Sequence, residues 1–354
     1  MSLDLILPFL RPIEQFLKDD SVTEVMVNGS GLVFIEREGR LSPVPAVAVN
    51  PKYLNVAVKN IARLLGDDIS EAWPILDARL PDGSRVAAVC APCSIGGTTL
   101  TIRKFGSRLF TMEHLVDEGS LDHEAACWLI DAVRGKKNIL ISGGTGAGKT
   151  TLLGALLGEI PDDERLILIE DTAEIRLAKP NLVRFEARRA VAGLPEVTIR
   201  DLVKTSLRHR PDRILVGEVR GGEAFDLLQA LNTGHAGAIS TLHASSAERA
   251  LTRLAHCILQ SGIALSFPIA CSQIADAIDV VVQIEREENQ RIVTEIVATT
   301  GFDPGRGAFG VRTIFGRESD LGGSPLGTPG SFPPNREQSG PTKPFGLSSL
   351  KRFA

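Results

Sequence analysis

With 354 residues the chain exceeds the usual length of one domain, and 43% hydrophobic residues suffice for two cores. A net charge of −4 argues against broad, non-specific nucleic-acid binding while leaving a local basic groove open. Five scattered cysteines read as reduced thiols, no run reaches the roughly 18–20 apolar residues of a membrane span, and the opening MSLDLILPFLRPIEQ lacks the basic and apolar regions of a signal peptide.

In chain order, residues 1–17 place Leu, Ile and Phe at near-helical spacing interrupted by Pro8 and Pro12, which predicts a short amphipathic lead-in. Residues 22–27 and 32–36 alternate around Asn28-Gly29-Ser30-Gly31, a hairpin signal. After Pro51 a helix carries Leu54, Ile61, Leu64 and Leu65 on one face and ends at Gly66. A second hairpin fits 79–90 around Pro81-Asp82-Gly83-Ser84, and the β-branched run 98–103 is a further strand. Between the hairpin and that strand, Cys90-Ala-Pro-Cys93 spells C-x-x-C, but no second pair or glycine-rich redox context accompanies it. It reads as two small residues. Strands and helices are segregated here, so residues 1–105 read as a small α+β domain. Residues 106–118 read as an interdomain linker in which Thr111 caps a short helix.

Residues 122–133 predict a helix leading into the apolar strand Ile139-Leu140-Ile141. From there strand and helix alternate over 166–169, 199–207, 214–216, 224–231, 238–242 and 247–259. Alternation of this kind predicts a parallel sheet covered by helices across residues 119–316. A last strand pair, 280–284 and 292–297, is expected at the edge of that domain, and 311–314 adds one strand. Residues 317–354 are rich in Gly, Pro and Ser and are expected to be disordered.

The chemistry centres on Asn138–Leu153, NILISGGTGAGKTTLL, which completes G-x-x-x-x-G-K-[ST], a P-loop. Glycines let the backbone N–H groups of Gly143, Gly144, Thr145, Gly146, Ala147 and Gly148 curl around a phosphate, and the following helix aims its positive end at the same anion. Lys149 adds a charge for the β- and γ-phosphates, the Thr150 hydroxyl suits Mg²⁺, and Thr151 completes the cradle. A nucleoside triphosphate is the implied ligand. Three other stretches bring a polar residue to a strand end. The run 165–172 delivers Glu170 and Asp171, where a carboxylate can orient water or hold Mg²⁺ through water. In 212–220, Gly217 lets the backbone approach phosphate and Glu218 reaches the metal or its water; Arg220 is either surface or a partner for a carboxylate. In 234–244, His235 and His243 flank one strand, and hydrogen bonding to the γ-phosphate suits them better than zinc, whose companion ligands are missing.

GGTGAGKTTL, LIEDTAEI, RPDRILVGEVRGGEA and NTGHAGAISTLHA resemble the Walker A, Asp box, glycine–glutamate Walker B and His box of the type II/IV secretion ATPase superfamily. These are hexameric motors of secretion, conjugal transfer and pilus assembly. SVTEVMVNG, ARLPDGSRVA and TIRKF resemble the amino-terminal domain of the conjugal-transfer and Tad-pilus branch, and the resemblance covers residues 15–300. It implies an α/β fold, with a RecA-like P-loop ATPase core and a smaller α+β, PAS-like amino-terminal domain. It also implies ATP and Mg²⁺ as cofactors, with Thr150 and Glu218 on the metal, the latter through water. Glu218 is then the essential acid, Glu170 its partner, and His243 rather than His235 the phosphate sensor. Arg79, Arg85 and Arg103 fall in stretches that help close an interdomain or intersubunit site, and Arg103 joins the expected catalytic set. The implied partners are five further copies of the chain and an inner-membrane secretion or pilus platform. The implied location is cytoplasmic, peripheral to the inner membrane. The four-cysteine zinc module of some relatives is missing, as is the long amino-terminal extension of many Tad-pilus motors.

Two other functions compete. A nucleic-acid translocase or helicase of the same core draws on Arg184, Arg188, Arg189, Arg208 and Arg210, but one tyrosine and two tryptophans leave few stacking platforms. A non-catalytic nucleotide switch or assembly scaffold would not require Lys149, Thr150, Glu170 and Glu218 together.

Overall fold

A computed structural model describes residues 4, 6–37, 39–105, 110–188, 190, 194–288 and 290–317. The expected tail beyond Arg317 and residues 106–109 of the expected linker lie outside the described residues.

The first six strands are β1 (Val22–Val27), β2 (Leu32–Arg37), β3 (Arg40–Ala48), β4 (Ile75–Arg79), β5 (Arg85–Val89) and β6 (Thr99–Arg103). They form one antiparallel sheet in the order β3-β2-β1-β6-β5-β4. Alternation gives it one apolar face, on which Val25, Val27, Val86, Leu100 and Ile102 pack with α2 (Pro51–Leu64). Asn50 caps that helix by accepting from the N–H groups of Lys52 and Tyr53. Burying Leu54, Val58 and Ile61 contributes about 1.5–3 kcal/mol each. Leu64 was expected on the same face but is 46% exposed. Ten residues beyond Leu54 at 100° each put it about 80° from Leu54, just outside the buried stripe, whose edge on that side is Ala57. Among its described residues the lead-in forms 3-10 turns at Leu7–Phe9 and Arg11–Ile13 and then α1 (Glu14–Lys18), and Ile6, Leu10, Ile13 and Leu17 close the same core. Strand β3 escapes sequence reading because Pro43 and Pro45 argue against a central strand. It is an edge strand, where missing N–H donors cost nothing.

After α3 (Met112–Asp117), capped by Thr111, and α4 (His123–Arg134), the chain enters the second sheet. Its elements are β7 (Ile139–Gly143), α5 (Lys149–Gly158), β8 (Leu166–Glu170), β9 (Leu182–Glu186), α6 (Ile199–Ser206), β10 (Arg213–Val216), α7 (Glu223–Asn232), β11 (Ile239–His243), α8 (Ala247–Leu259), α9 (Phe267–Ala277), β12 (Val280–Glu287), β13 (Gln290–Asp303) and β14 (Ala308–Gly316). The order is β14-β13-β12-β7-β11-β10-β8-β9; β12 through β9 run parallel, whereas β13 and β14 are antiparallel. The α/β expectation holds. The last strand pair does not lie at the edge: β12 pairs with β7 beside the P-loop, and β14 forms the edge. Val280, Val281 and Val282 are all buried, the pattern of an interior parallel strand covered on both faces.

One polar clamp holds the amino-terminal edge of this sheet. Arg213 is fully buried, and its Nε and Nη2 donate to the two Glu164 oxygens at 2.8 and 2.9 Å. Its Nη1 donates to Val133 O at 2.7 Å, and Gly237 packs on it where a Cβ would come within 2.9 Å of Nη1. Breaking one partner of such a pair costs about 3–5 kcal/mol because a buried charge is left alone. Glu164→Gln should therefore lower unfolding free energy in urea by about 3 kcal/mol at pH 7. The Arg213 guanidinium holds the Glu164 carboxyl below its usual range. A depressed folded pKa means this stabilisation is full above the unfolded value and fades as pH falls through the folded one. The gap between wild type and variant should thus shrink below about pH 4. A gap that stays constant down to pH 3 would count against the pair.

Candidate active site

Parallel pairing places the carboxyl ends of β7, β8, β10 and β11 along one edge, the position where open α/β sheets bind ligands. The link from β7 to α5 is the P-loop. Gly146 and Gly148 have φ of +71° and +98°, conformations that side chains resist. Gly143 meets a second constraint: a Cβ there would lie 2.3 Å from Ile284 O of β12. The amino terminus of α5 has no side-chain cap, so its free N–H groups are open to an anion. Thr150 is exposed in that first turn, with Thr151 half-buried behind it. Lys149 is buried; its Nζ donates to Gly143 O at 3.0 Å and Gly144 O at 2.8 Å. Burial pushes its pKa down, partly countered by Glu218.

Glu218 reaches the same cluster from β10. Gly217 N–H donates to Ile169 O and Val219 N–H to Thr241 O, both at 2.8 Å, so Glu218 is fixed between the ends of β8 and β11. Its Oε2 accepts from Arg220 Nη2 at 2.7 Å, and Arg220 also lies 3.7 Å from Asp171. Its Oε1 lies 3.0 Å from His243 Nε2 yet outside hydrogen-bond geometry, and this buried oxygen has no donor. A buried carboxylate oxygen without a donor suits an ordered water or a hydrated divalent cation.

His243 ends β11 directly opposite Gly143 in the register. Its Nδ1 lies 3.2 Å from Lys149 Nζ. An ammonium only donates, so Nδ1 accepts and the ring proton sits on Nε2. Burial, then the Lys149 charge, lower the His243 pKa, and Glu218 offsets only part of this. Lys149, His243, Glu218 and Arg220 thus form one continuous polar chain beside the loop.

Other expected residues fall elsewhere. Glu170 is buried with both oxygens committed: Oε1 accepts from Glu174 and Ile175 N–H at 2.8 Å each, and Oε2 from Arg184 Nη2 at 2.9 Å. Burial raises its pKa while Arg184 and the amides pull it down. It braces the loop after β8 and stands behind Gly217, where a Cβ would meet its Cγ at 3.2 Å. His235 precedes β11 by four residues and has Nδ1 3.3 Å from Ala230 O, so it sits at the opposite edge of the sheet from His243. Arg79 donates to Ala173 O at 2.8 Å and pairs with Glu186; Arg85 lies 3.6 Å from Glu174. Both join the first sheet to the β8–β9 segment through carboxylates and a carbonyl. Arg103 is exposed and lines a groove on that first sheet with Glu24, Asp77 and Arg85, away from the cluster around Lys149.

Sequence reasoning read Arg184 only as a candidate nucleic-acid contact and missed its pairing with Glu170, visible only through the β8–β9 pairing. It also missed Arg291, whose Nε donates to Gly146 O at 3.2 Å from β13. Of the other basic candidates, Arg188 donates to Pro195 O, Arg208 and Arg210 are exposed, and Arg189 lies outside the described residues. A groove of about 400 Å³ beside Glu218 mixes Arg188, Arg200 and Arg220 with Asp171, Glu196 and Glu223, so its charge alternates.

Residues 9–302 match the family model described as type II/IV secretion system protein. The chain is similar to the conjugal transfer protein TrbB of Rhizobium radiobacter, 37% identical over 81% of this chain and 86% of that one. It is 43% identical to the uncharacterized protein MJ0781 of Methanocaldococcus jannaschii over 67% of this chain, a match that spans 34% of that relative's length. Among solved structures it resembles the X-ray structure of the Legionella pneumophila ATPase DotB, with a TM-score of 0.58 and 19% identity over 84% of this chain and 81% of that one. The last likeness speaks to fold. No helix among the described residues is long and apolar enough to cross a membrane.

The polar chain makes a spectroscopic prediction. In ¹⁵N-detected titrations His243 should carry its proton on Nε2 and titrate below the ordinary 6.5. Lys149→Ala removes a neighbouring cation and should move that midpoint upward. A wild-type midpoint at or above 6.5 would contradict the geometry.

Proposed function

The chain belongs to the type II/IV secretion system protein family, and we propose that it acts there as a motor that hydrolyses ATP. The observation that carries this reading is the Lys149–His243–Glu218 chain at the lip of the P-loop, with the donor-free Glu218 oxygen facing it. ATP would seat its phosphates on the loop amides and the uncapped end of α5. Lys149 would exchange the carbonyls of Gly143 and Gly144 for phosphate oxygens. Thr150 and, through water, Glu218 would hold Mg²⁺, which supplies neutralisation of the charge on the transferring phosphoryl. Glu218 Oε1 orients the attacking water and draws its proton as the bond to the leaving β-phosphate oxygen breaks. The neutral His243 offers its Nε2 proton to the γ-phosphate, and so reports whether that group is present.

Residues 1–105 and 119–316 serve in this reading as two bodies, with Arg79 and Arg85 linking the first to the loop behind Glu218. Loss of the γ-phosphate loosens contacts at the cluster, and the linked segment shifts the amino-terminal body. The motor is a homohexamer on the cytoplasmic side of an inner membrane, docked on a secretion, conjugation or pilus platform. TrbB carries the name of a conjugal transfer protein, and its length match supports that setting.

The direct test is Mg²⁺-dependent ATP hydrolysis measured against protein concentration, with and without single-stranded DNA. Specific activity that climbs with concentration and ignores DNA supports the motor; flat activity accelerated by DNA favours a translocase. Glu218→Gln should reduce turnover at least about 100-fold while ATP binding stays within a few-fold. Turnover that survives the change would remove Glu218 from its role.

A further inference from the structure

The hairpin joining β12 and β13 rests on the outside of the P-loop. Ile284 closes on Gly143, and Arg291 packs over Gly148, where a Cβ would lie 2.8 Å from Arg291 Cδ. Arg286 and Arg291 stand directly opposite each other in the antiparallel register, a like-charge pairing that is ordinarily unfavourable. Neither has a carboxylate within ion-pair distance among the described residues. Each donates instead to a backbone carbonyl: Arg291 Nε to Gly146 O at 3.2 Å, and Arg286 Nη2 to Gly39 O in the β2–β3 turn. Both guanidiniums converge on that turn, since a Cβ on Gly39 would lie 3.4 Å from Arg291 Nη2 and 3.8 Å from Arg286 Nη2.

The Gly146 carbonyl belongs to the peptide whose N–H is carried by Ala147. A trans peptide points its C=O and N–H in opposite directions. With the carbonyl drawn outward to Arg291, the Ala147 N–H turns into the loop, where Gly144 O lies 3.4 Å away. Gly146 sits at φ +71° with no side chain to hold that peptide, so it can flip at little cost. We propose that Arg291 is a positioning residue that locks the Gly146–Ala147 peptide with its N–H toward the phosphate, while Arg286 ties the same hairpin to the Gly39 turn. Nucleotide on the loop is thereby linked to the first sheet. This rests on the reading of the P-loop as a nucleotide site.

The test uses the full chain with ADP and Mg²⁺, calorimetry for affinity and hydrogen exchange for the backbone. Arg291→Ala should raise the Kd for ADP about 10-fold with thermal stability unchanged. Arg291→Lys keeps the charge but not the Nε donor, and should recover only part of the loss; it also carries the test if the alanine variant fails to fold. Arg286→Ala should leave the Kd within about twofold. It should also abolish the slowing of exchange that ADP induces in the peptide spanning Gly39. Wild-type affinity in Arg291→Ala, or complete recovery in Arg291→Lys, overturns the positioning role. An unchanged Gly39 response in Arg286→Ala overturns the tie. Wild type that binds no nucleotide sinks the functional reading itself, and this inference with it.

Discussion

The in-register parallel pairing of β7 with β11 is the constraint on which the site depends. It sets His243 opposite Gly143, and with β10 and β8 alongside, four strand ends that are distant in sequence deliver their polar residues to one edge. A one-residue slip would turn His243 to the other face of the sheet and leave Lys149 without its neighbour. The register is held from below by side chains that never approach the loop. Asn138 accepts from Gly237 and Ala238 N–H and donates to Ala277 O, while Arg213 spans Glu164 and Val133. Chemistry occupies one edge of the sheet and alignment is enforced at the other.

The cluster also separates two kinds of carboxylate. Glu170 spends both oxygens on an arginine and two amides, so its value lies in shaping the segment from Asp171 to Arg176. Glu218 spends one oxygen on Arg220 and leaves the other without a donor. Glu170 is also the more buried of the two, but the inventory of donors is what separates their roles.

Much of this was legible in the sequence because the relevant signals are local. The glycines and lysine of the loop, the apolar run before Glu218 and the strand before His243 each announce themselves within about ten residues. What stayed hidden depends on pairing. His235 and His243 both matched the His box, with His243 preferred as the sensor, and only strand direction shows that they lie at opposite edges of the sheet. Arg184 became a partner of Glu170 only once β9 lay beside β8. Arg286 and Arg291 belong to no motif, and only the placement of β12 next to β7 brings them over the loop. Helix α9 carries a proline in its first turn, a start signal that could have been read.

The two prolines of β3 have a consequence for the borders of the first sheet. An edge strand offers unpaired backbone groups that invite strand addition by any neighbour, a hazard that rises when many copies are held close together. Pro43 and Pro45 remove two of the donors such templating needs, and the opposite edge, β4, is only five residues long. The borders of this sheet are poor seeds for cross-molecular β-sheet growth, so two copies brought side by side do not anneal through these two edges.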